Sequence, residues 1–493
     1  MLYQSTRDKN AKKIEGSMAI KQGLASDGGL FVPESVPSLS HDEILSLCSD
    51  SYPVRAARIL SKFLTDYTYE ELLADCEKAY SSESFKGGCA PLAKVREGLY
   101  SLELWHGPTS AFKDMALQIM PRLLSRALVK NDEKRTALIL VATSGDTGKA
   151  ALEGYKNVDG VKIMVYYPVD GVSRVQKLQM ATQEGSNVNV CAIRGNFDDA
   201  QNGVKAIFGN DEAAKNLDEN RVFLSSANSI NWGRLAPQIV YYISAYCDLL
   251  AEGKIKLGDK VNYCVPTGNF GNIFAAYLAK LMGLPVGKLI CASNTNNVLT
   301  DFLRNGEYNR NRAFHLTMSP SMDILISSNL ERLLYFTAGS EKTAEYMASL
   351  KETGAYKISD ELLAKINQTF VGYYASEQET AATIKATFEK DGYLADTHTS
   401  VALCCADKYI NESNDKTPMV VASTASPYKF AADVLKSLSG EKPSDDLEAL
   451  ELLSKLTGTE ITAPLRGLAE RKINFNGVIN ADEMLDEVYK FAK

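Results

Sequence analysis

The chain has 493 residues, 45% hydrophobic and 23% charged, which suits a globular protein of two or three domains. A net charge of −7, with no basic stripe carrying interleaved aromatics, argues against nucleic-acid binding. Apolar runs such as ALILVA (137–142) are far too short to span a bilayer, which argues against a membrane span.

The N-terminal MLYQSTRDKNAKK has no apolar core of the kind a secretory signal carries, so a cytoplasmic location is expected. Nine cysteines without a CxxC pair read as reduced core thiols. Four histidines, none at HxxxH spacing, make a zinc site unexpected.

Residues 1–95 are mixed: GLASDGGLFVPESVP (23–37) is rich in turn residues, and helical stretches follow near 41–48 and 53–80. LYSLELW (99–105) alternates as a strand does. Strands are then predicted at 136–142, 161–167, 188–193, 261–266, 288–293 and 418–423. Helices are predicted at 148–155, 174–183, 198–208, 272–283 and 428–438. The strands are continuous apolar runs, as buried parallel strands are, so the chain reads as α/β built from βαβ units. SGEKPSDD (439–446) reads as a linker to a C-terminal segment with a helix near 447–457.

Ligands in open α/β sheets bind beyond the carboxyl ends of strands, and three unusual loops lie there. PTGNFGN (266–272) pairs Gly268 and Gly271 with a helix start, which suits a phosphate; it is neither a Walker loop nor GxGxxG. ATSGDTGK (142–149) offers Ser144, Thr147 and backbone N–H groups to a carboxylate, with Asp146 free to cap the next helix. ASTASPYKF (422–430) supplies Ser423, Thr424 and Ser426. Each loop taken alone reads more readily as a capped or glycine-bearing turn than as a site.

HGPTSAFKDMALQ (106–118) adds a lysine, Lys113, in what reads as the first turn of a helix, on one side with Ala116, Leu117 and Met120. A cation is disfavoured at a helix start. Apolar neighbours and that positive end would depress the amine's pKa, as a Schiff-base lysine requires. A lysine there more commonly snorkels to water. Together the loops and the lysine offer an amine for an aldehyde, a phosphate cradle, an anion loop and a hydroxyl. That set fits pyridoxal 5'-phosphate.

On these segments, together with STR (5–7) and SANSINWGRLAPQIVYY (226–242), the chain resembles threonine synthase over nearly its whole length. The resemblance implies pyridoxal-phosphate fold type II: two open, mostly parallel sheets flanked by helices, the active site in the cleft between domains, and an N-terminal mixed α+β region. It implies an N-terminal cap region (1–95), a large cofactor-binding domain (96–125 and 236–438), a small mobile domain (126–235) and a C-terminal helical extension (439–493). Lys113 would form the Schiff base and act as acid and base. Gly268, Asn269, Phe270, Gly271 and Asn272 would cradle the cofactor phosphate, and Thr424 would face the pyridine nitrogen. Ser144, Gly145, Asp146 and Thr147 would face the substrate carboxylate and the ring.

Implied too is conversion of O-phospho-L-homoserine and water to L-threonine and phosphate, by γ-elimination and β-addition of water. Arg7, Arg174, Lys177, Asn231 and Arg234 are the candidates for holding the substrate phosphate, Arg234 being best placed. A monomer or homodimer is expected. The family's Thr-Ala-His-Pro-Ala-Lys-Phe is Thr424-Ala-Ser-Pro-Tyr-Lys-Phe430 here, with Ser426 at the histidine position. Other readings are a phospho-lyase giving a 2-oxo acid from a related phosphorylated amino acid, a non-catalytic pyridoxal-phosphate-binding protein, and a nucleotide-binding enzyme.

Overall fold

A computed structural model describes residues 1–493 other than 9, 11, 144, 171, 442 and 444. Two sheets organise it. The larger runs Phe370–Tyr374, Val286–Ser293, Val261–Pro266, Met419–Ser423, Leu99–Glu103, Leu92–Arg96. Its pairings are parallel except the last, an antiparallel edge. The smaller runs Val478–Asn480, Val188–Arg194, Val161–Pro168, Thr136–Ala142, Val222–Ser225, all parallel. Both are open sheets with helical crossovers, as expected of fold type II.

The strands at 136–142 and 261–266 fall at the bounds read from sequence. Their apolar side chains are covered on both faces: Leu138, Ile139, Tyr263 and Cys264 are fully buried. Such runs gain roughly 25 cal/mol for each Å² of apolar surface removed from water. That gain favours the buried parallel strand over an exposed edge.

Three expectations change. The stretch 53–80 is two helices, Tyr52–Phe63 and Tyr69–Ala79. Thr68 starts the second with a capping box to Glu71, a sequence signal that marks the break. Helix at 428–438 begins as a 3-10 turn, Pro427–Phe430, and becomes α-helical only over Ala431–Ser439. The C-terminal extension is not wholly helical: Val478–Asn480 adds a strand to the smaller sheet, and the helix Met484–Ala492 packs its Met484 and Val488 into that sheet's core.

An N-terminal sheet of Leu2–Ser5, Ile14–Glu15 and Phe31–Pro33 packs on the segment that carries Arg234. Trp232, fully buried, has Tyr3 at 5.4 Å and Phe63 at 5.7 Å between ring centroids. Aromatic packing of this kind adds about 0.5–1.5 kcal/mol per pair beyond area burial, and it holds the backbone of residues 231–235 in place.

Among the described residues, no helix is long and apolar enough to cross a membrane. All nine cysteines are free thiols, six of them buried.

Candidate active site

Lys113 precedes a helix of only four residues, Asp114–Leu117, and a second helix starts at Met120. The lysine therefore sits at a cap position rather than inside a first turn, and Met120 lies on another helix. The segment is fixed from both sides. Thr109 donates its N–H and its hydroxyl to Asp114 at 2.8 and 2.7 Å. Phe112 N–H donates to Thr424 O at 2.8 Å, tying the lysine's loop to the end of the 419–423 strand.

The Lys113 side chain is 11% exposed. Burial pulls its pKa down from the ordinary lysine value; nearby Asp146 opposes this, and the charges of Arg234 and Lys429 add to it, for a value of about 8. Far more of the amine is therefore neutral near pH 7 than in an ordinary lysine, and the neutral form is the one that attacks an aldehyde.

Asp146, expected as a helix cap, does something else. The helix Asp146–Tyr155 has no side-chain cap; instead the Thr143 hydroxyl accepts from Gly145 and Gly148 N–H, both at 3.0 Å. Asp146 Oδ1 lies 3.0 Å from Lys429 Nζ and accepts from Gln176 Nε2 at 3.1 Å, while Oδ2 lies 3.8 Å from Lys113 Nζ. Burial would raise this carboxyl's pKa, but Lys429 and Lys113 hold it well below the ordinary range. Gly145 adopts φ +142°, and a Cβ there would lie 2.4 Å from the Gln176 side chain. The position therefore needs glycine. Thr147 is half-buried beside it; Ser144 lies outside the described residues.

Residues 268–272 fit a phosphate by observation. The helix Gly271–Leu281 starts after Phe270 in a left-handed conformation (φ 61°) with no side-chain cap, so its first N–H groups lack side-chain acceptors. A Cβ on Gly268 would lie 2.8 Å from Ser321 O, and one on Gly271 3.3 Å from Asn329 Nδ2. Asn272 Oδ1 accepts from Tyr241 and Tyr242 hydroxyls at 2.5 Å, which leaves its buried Nδ2 without a protein partner among the described residues. An orphaned donor beside an open helix start suits an anion. Asn269 is exposed at the rim. Thr424 is 6% exposed, and its hydroxyl makes no hydrogen bond among the described residues.

The basic candidates separate clearly. Arg234 is buried, has no carboxylate partner among the described residues, and donates from Nη1 to Ala227 O at 2.6 Å. Burial pulls its pKa down to about 10. Asn231 is spent on structure: Oδ1 caps Gly233 N–H and Nδ2 donates to Ile20 O, both at 2.9 Å. Arg174, 58% exposed, pairs with Asp445 and so faces the C-terminal segment. Arg7 forks onto Glu331, with both contacts at 2.8 Å, and Lys177 is exposed. Ser426 is fully buried; its Oγ accepts from Tyr428 N–H and its N–H donates to Ser110 O, a turn-forming role.

Sequence reasoning missed Lys429, Ser321 and His398. Lys429 is sealed, donating to Thr109 O at 2.8 Å as well as pairing with Asp146. Ser321 Oγ is 3.2 Å from Lys113 Nζ. Ser321 has no local signal; Lys429 lies in the 422–430 loop and His398 two residues from Asp396, but their contacts with Asp146 and Ser321 span distant parts of the chain.

A buried amine of low pKa facing an uncapped, glycine-lined helix start, between two open parallel sheets, defines a pyridoxal-phosphate site of the fold type II class. The family description "Pyridoxal-phosphate dependent enzyme" matches residues 89–424, and "Threonine synthase N terminus" and "Threonine synthase, C-terminal" match 2–80 and 399–488. Threonine synthase of Pseudomonas aeruginosa is 38% identical, over 90% of this chain and 92% of that protein. The chain belongs to the threonine synthase family of pyridoxal-phosphate-dependent enzymes. A solved structure, pyridoxal-phosphate-bound threonine synthase from Brucella melitensis, is 38% identical at a TM-score of 0.88, covering 100% of this chain and 98% of that one. Human threonine synthase-like 1 is 41% identical over 86% of this chain, and the chain spans only 58% of that relative's length.

Proposed function

We propose that the chain converts O-phospho-L-homoserine and water to L-threonine and phosphate. The observation that carries this reading is the placement of Lys113, an amine with a pKa of about 8, among Asp146, Arg234 and Lys429. Bound pyridoxal phosphate supplies an aldehyde and a ring that takes up electron density when the substrate Cα loses its proton.

The chain's own residues do the rest. Gly268–Asn272 hold the cofactor phosphate by backbone N–H groups and Asn272 Nδ2. Thr424 would offer a neutral hydroxyl to the ring nitrogen, and such a partner would moderate the ring's electron demand. Lys113, whose amine has a depressed pKa, would take the substrate's Cα proton and stand near Cβ for the next transfer. Arg234, buried and without an acidic partner among the described residues, binds the phosphate that leaves from Cγ. Gly145, Asp146 and Thr147 line the substrate side, and the Asp146 carboxylate keeps the surrounding cations balanced. The segment 126–235 closes over the substrate and limits water access until Cβ is ready for addition.

The test is turnover of O-phospho-L-homoserine by the cofactor-loaded chain, with phosphate and threonine quantified together. Equal amounts support the synthase reading. Phosphate with 2-oxobutyrate and no threonine replaces it with a phospho-lyase, and no product from a cofactor-loaded chain removes the substrate assignment.

A further inference from the structure

Ser321 lies in the Pro320–Met322 turn, outside every loop that the sequence singles out, yet it touches three parts of the site. Lys113 Nζ donates to Ser321 Oγ at 3.2 Å, and Ser321 Oγ donates to Asp146 Oδ2 at 3.3 Å. The direct Lys113–Asp146 separation is 3.8 Å, so the serine hydroxyl is the closer link. Ser321 O also stands 2.8 Å from the place a Gly268 Cβ would occupy. One turn is thus wedged between the amine, the substrate-side loop and the phosphate cradle.

The turn is held from behind. Ser321 N–H donates to His398 Nε2 at 3.1 Å, which places the ring proton on Nδ1. Nδ1 lies 3.1 Å from Asp396 Oδ1, which also accepts from His398 N–H at 2.8 Å. Asp396 Oδ2 accepts from the Thr399 hydroxyl, and the Phe430 ring packs on His398 at 4.7 Å between centroids. His398 and Asp396 are 2% and 1% exposed, so the imidazole has little freedom to turn. The charged groups facing this cluster are Asp146, Arg234 and Lys429 around the amine, and Asp146, Asp323 and Asp396 around the imidazole.

We propose that Ser321 is the positioning residue that aims the Lys113 amine, and that the Asp396–His398 pair is the clamp that holds Ser321 in place. The inference rests on the cofactor reading above but not on the identity of the substrate. A hydroxyl fixed at both ends limits the rotamers of a long side chain, and the amine then meets an aldehyde in one orientation. Because the clamp also sets Ser321 O against Gly268, its loss reaches the phosphate cradle as well.

The experiment uses the full chain without substrate. Pyridoxal phosphate is added, and the visible absorbance of the lysine-bound cofactor is followed against time and pH, with cofactor affinity measured separately. Ser321→Ala is expected to slow capture ~10-fold, as loss of one hydrogen bond to an ionisable group implies, and to displace the pH midpoint while affinity holds. His398→Phe is expected to slow capture and weaken affinity together, and His398→Gln, which keeps an acceptor, to restore part of both. Wild-type rate and pH midpoint in Ser321→Ala overturn the proposal even if His398→Phe fails to fold. His398→Phe with lowered thermal stability but normal capture overturns the clamp. Failure of the unmodified chain to give the absorbance overturns the cofactor reading and this one with it.

Discussion

Lys429 Nζ and Asp146 Oδ1 lie 3.0 Å apart with side chains 0% and 5% exposed. Asp146 opens the helix after a strand of the smaller sheet, and Lys429 belongs to the turn after a strand of the larger one. The pair therefore joins the two halves of the cleft. Breaking a buried pair leaves an uncompensated charge, at about 3–5 kcal/mol. Lys429→Met should lose about that much stability in urea denaturation, and adding Asp146→Asn should return part of it. Additive losses would show that the two residues are not coupled. The sign with pH follows from Asp146: its depressed pKa gives stability present at neutral pH and lost as pH falls below ~4.

Capture of pyridoxal phosphate by Lys113 should depend on pH in the same direction as that stability term but over a higher range. Only the neutral amine attacks the aldehyde, so the rate should rise through a midpoint near the amine's value of about 8 and level off above it. Lys113→Ala should abolish the visible absorbance while changing the thermal midpoint little. A midpoint near 10 would mean that the amine is solvated as an ordinary lysine is.

As the proposed ligand of the substrate phosphate, Arg234 should separate substrate effects from cofactor effects. Arg234→Lys keeps the charge but not the planar fork that matches a phosphate. It should raise the substrate KM by ~10-fold or more and leave cofactor affinity near wild type. Parallel loss of both would place the arginine with the cofactor or trace the effect to folding.

Thr109 supports the lysine's loop through Asp114, whose carboxyl is fully buried and, by that burial, pushed up to about 6. Thr109→Val removes the hydroxyl bond of 2.7 Å and keeps the shape. The expected loss is about 1–2 kcal/mol at pH 7. A carboxyl with a raised folded pKa gains stability as pH falls through that value, because the folded state then binds the proton more tightly. The variant's deficit should accordingly shrink between pH 7 and 5, as measured by denaturation at each pH. A constant deficit would locate the effect away from Asp114.

Gly145→Ala tests the substrate-side loop. With φ at +142° and the Gln176 side chain 2.4 Å from the new Cβ, the alanine must displace Gln176 from Asp146. A cost of about 1–3 kcal/mol is expected, with a larger effect on substrate affinity than on cofactor capture.

Much of the architecture was legible from residue order because the physics behind it is local. Continuous apolar runs such as VNYCVP and TALILVA become parallel strands since both faces must be covered. Gly268 and Gly271 marked a loop of close backbone approach, because only a residue without Cβ admits the contacts found there. Lys113 stood out as a cation in what read as the first turn of a helix, although the structure puts it at the cap position. The division of 53–80 was also legible, in the Thr68–Glu71 capping box, and the strand at Val478–Asn480 was not, since three residues carry no periodicity.

Sequence by itself determined the class of fold, the loops at strand ends and the amine that distinguishes this site. Tertiary structure decided which charges meet. Asn231 and Arg174, plausible as phosphate ligands by type, are bound to Ile20 O and Asp445, whereas Arg234 has no carboxylate partner among the described residues. Ser321 reaches Lys113 across 208 positions of the chain and Asp146 across 175. Hydrogen bonds and ion pairs depend on distance in space, and their strength on burial, and neither is encoded in a residue's immediate neighbours.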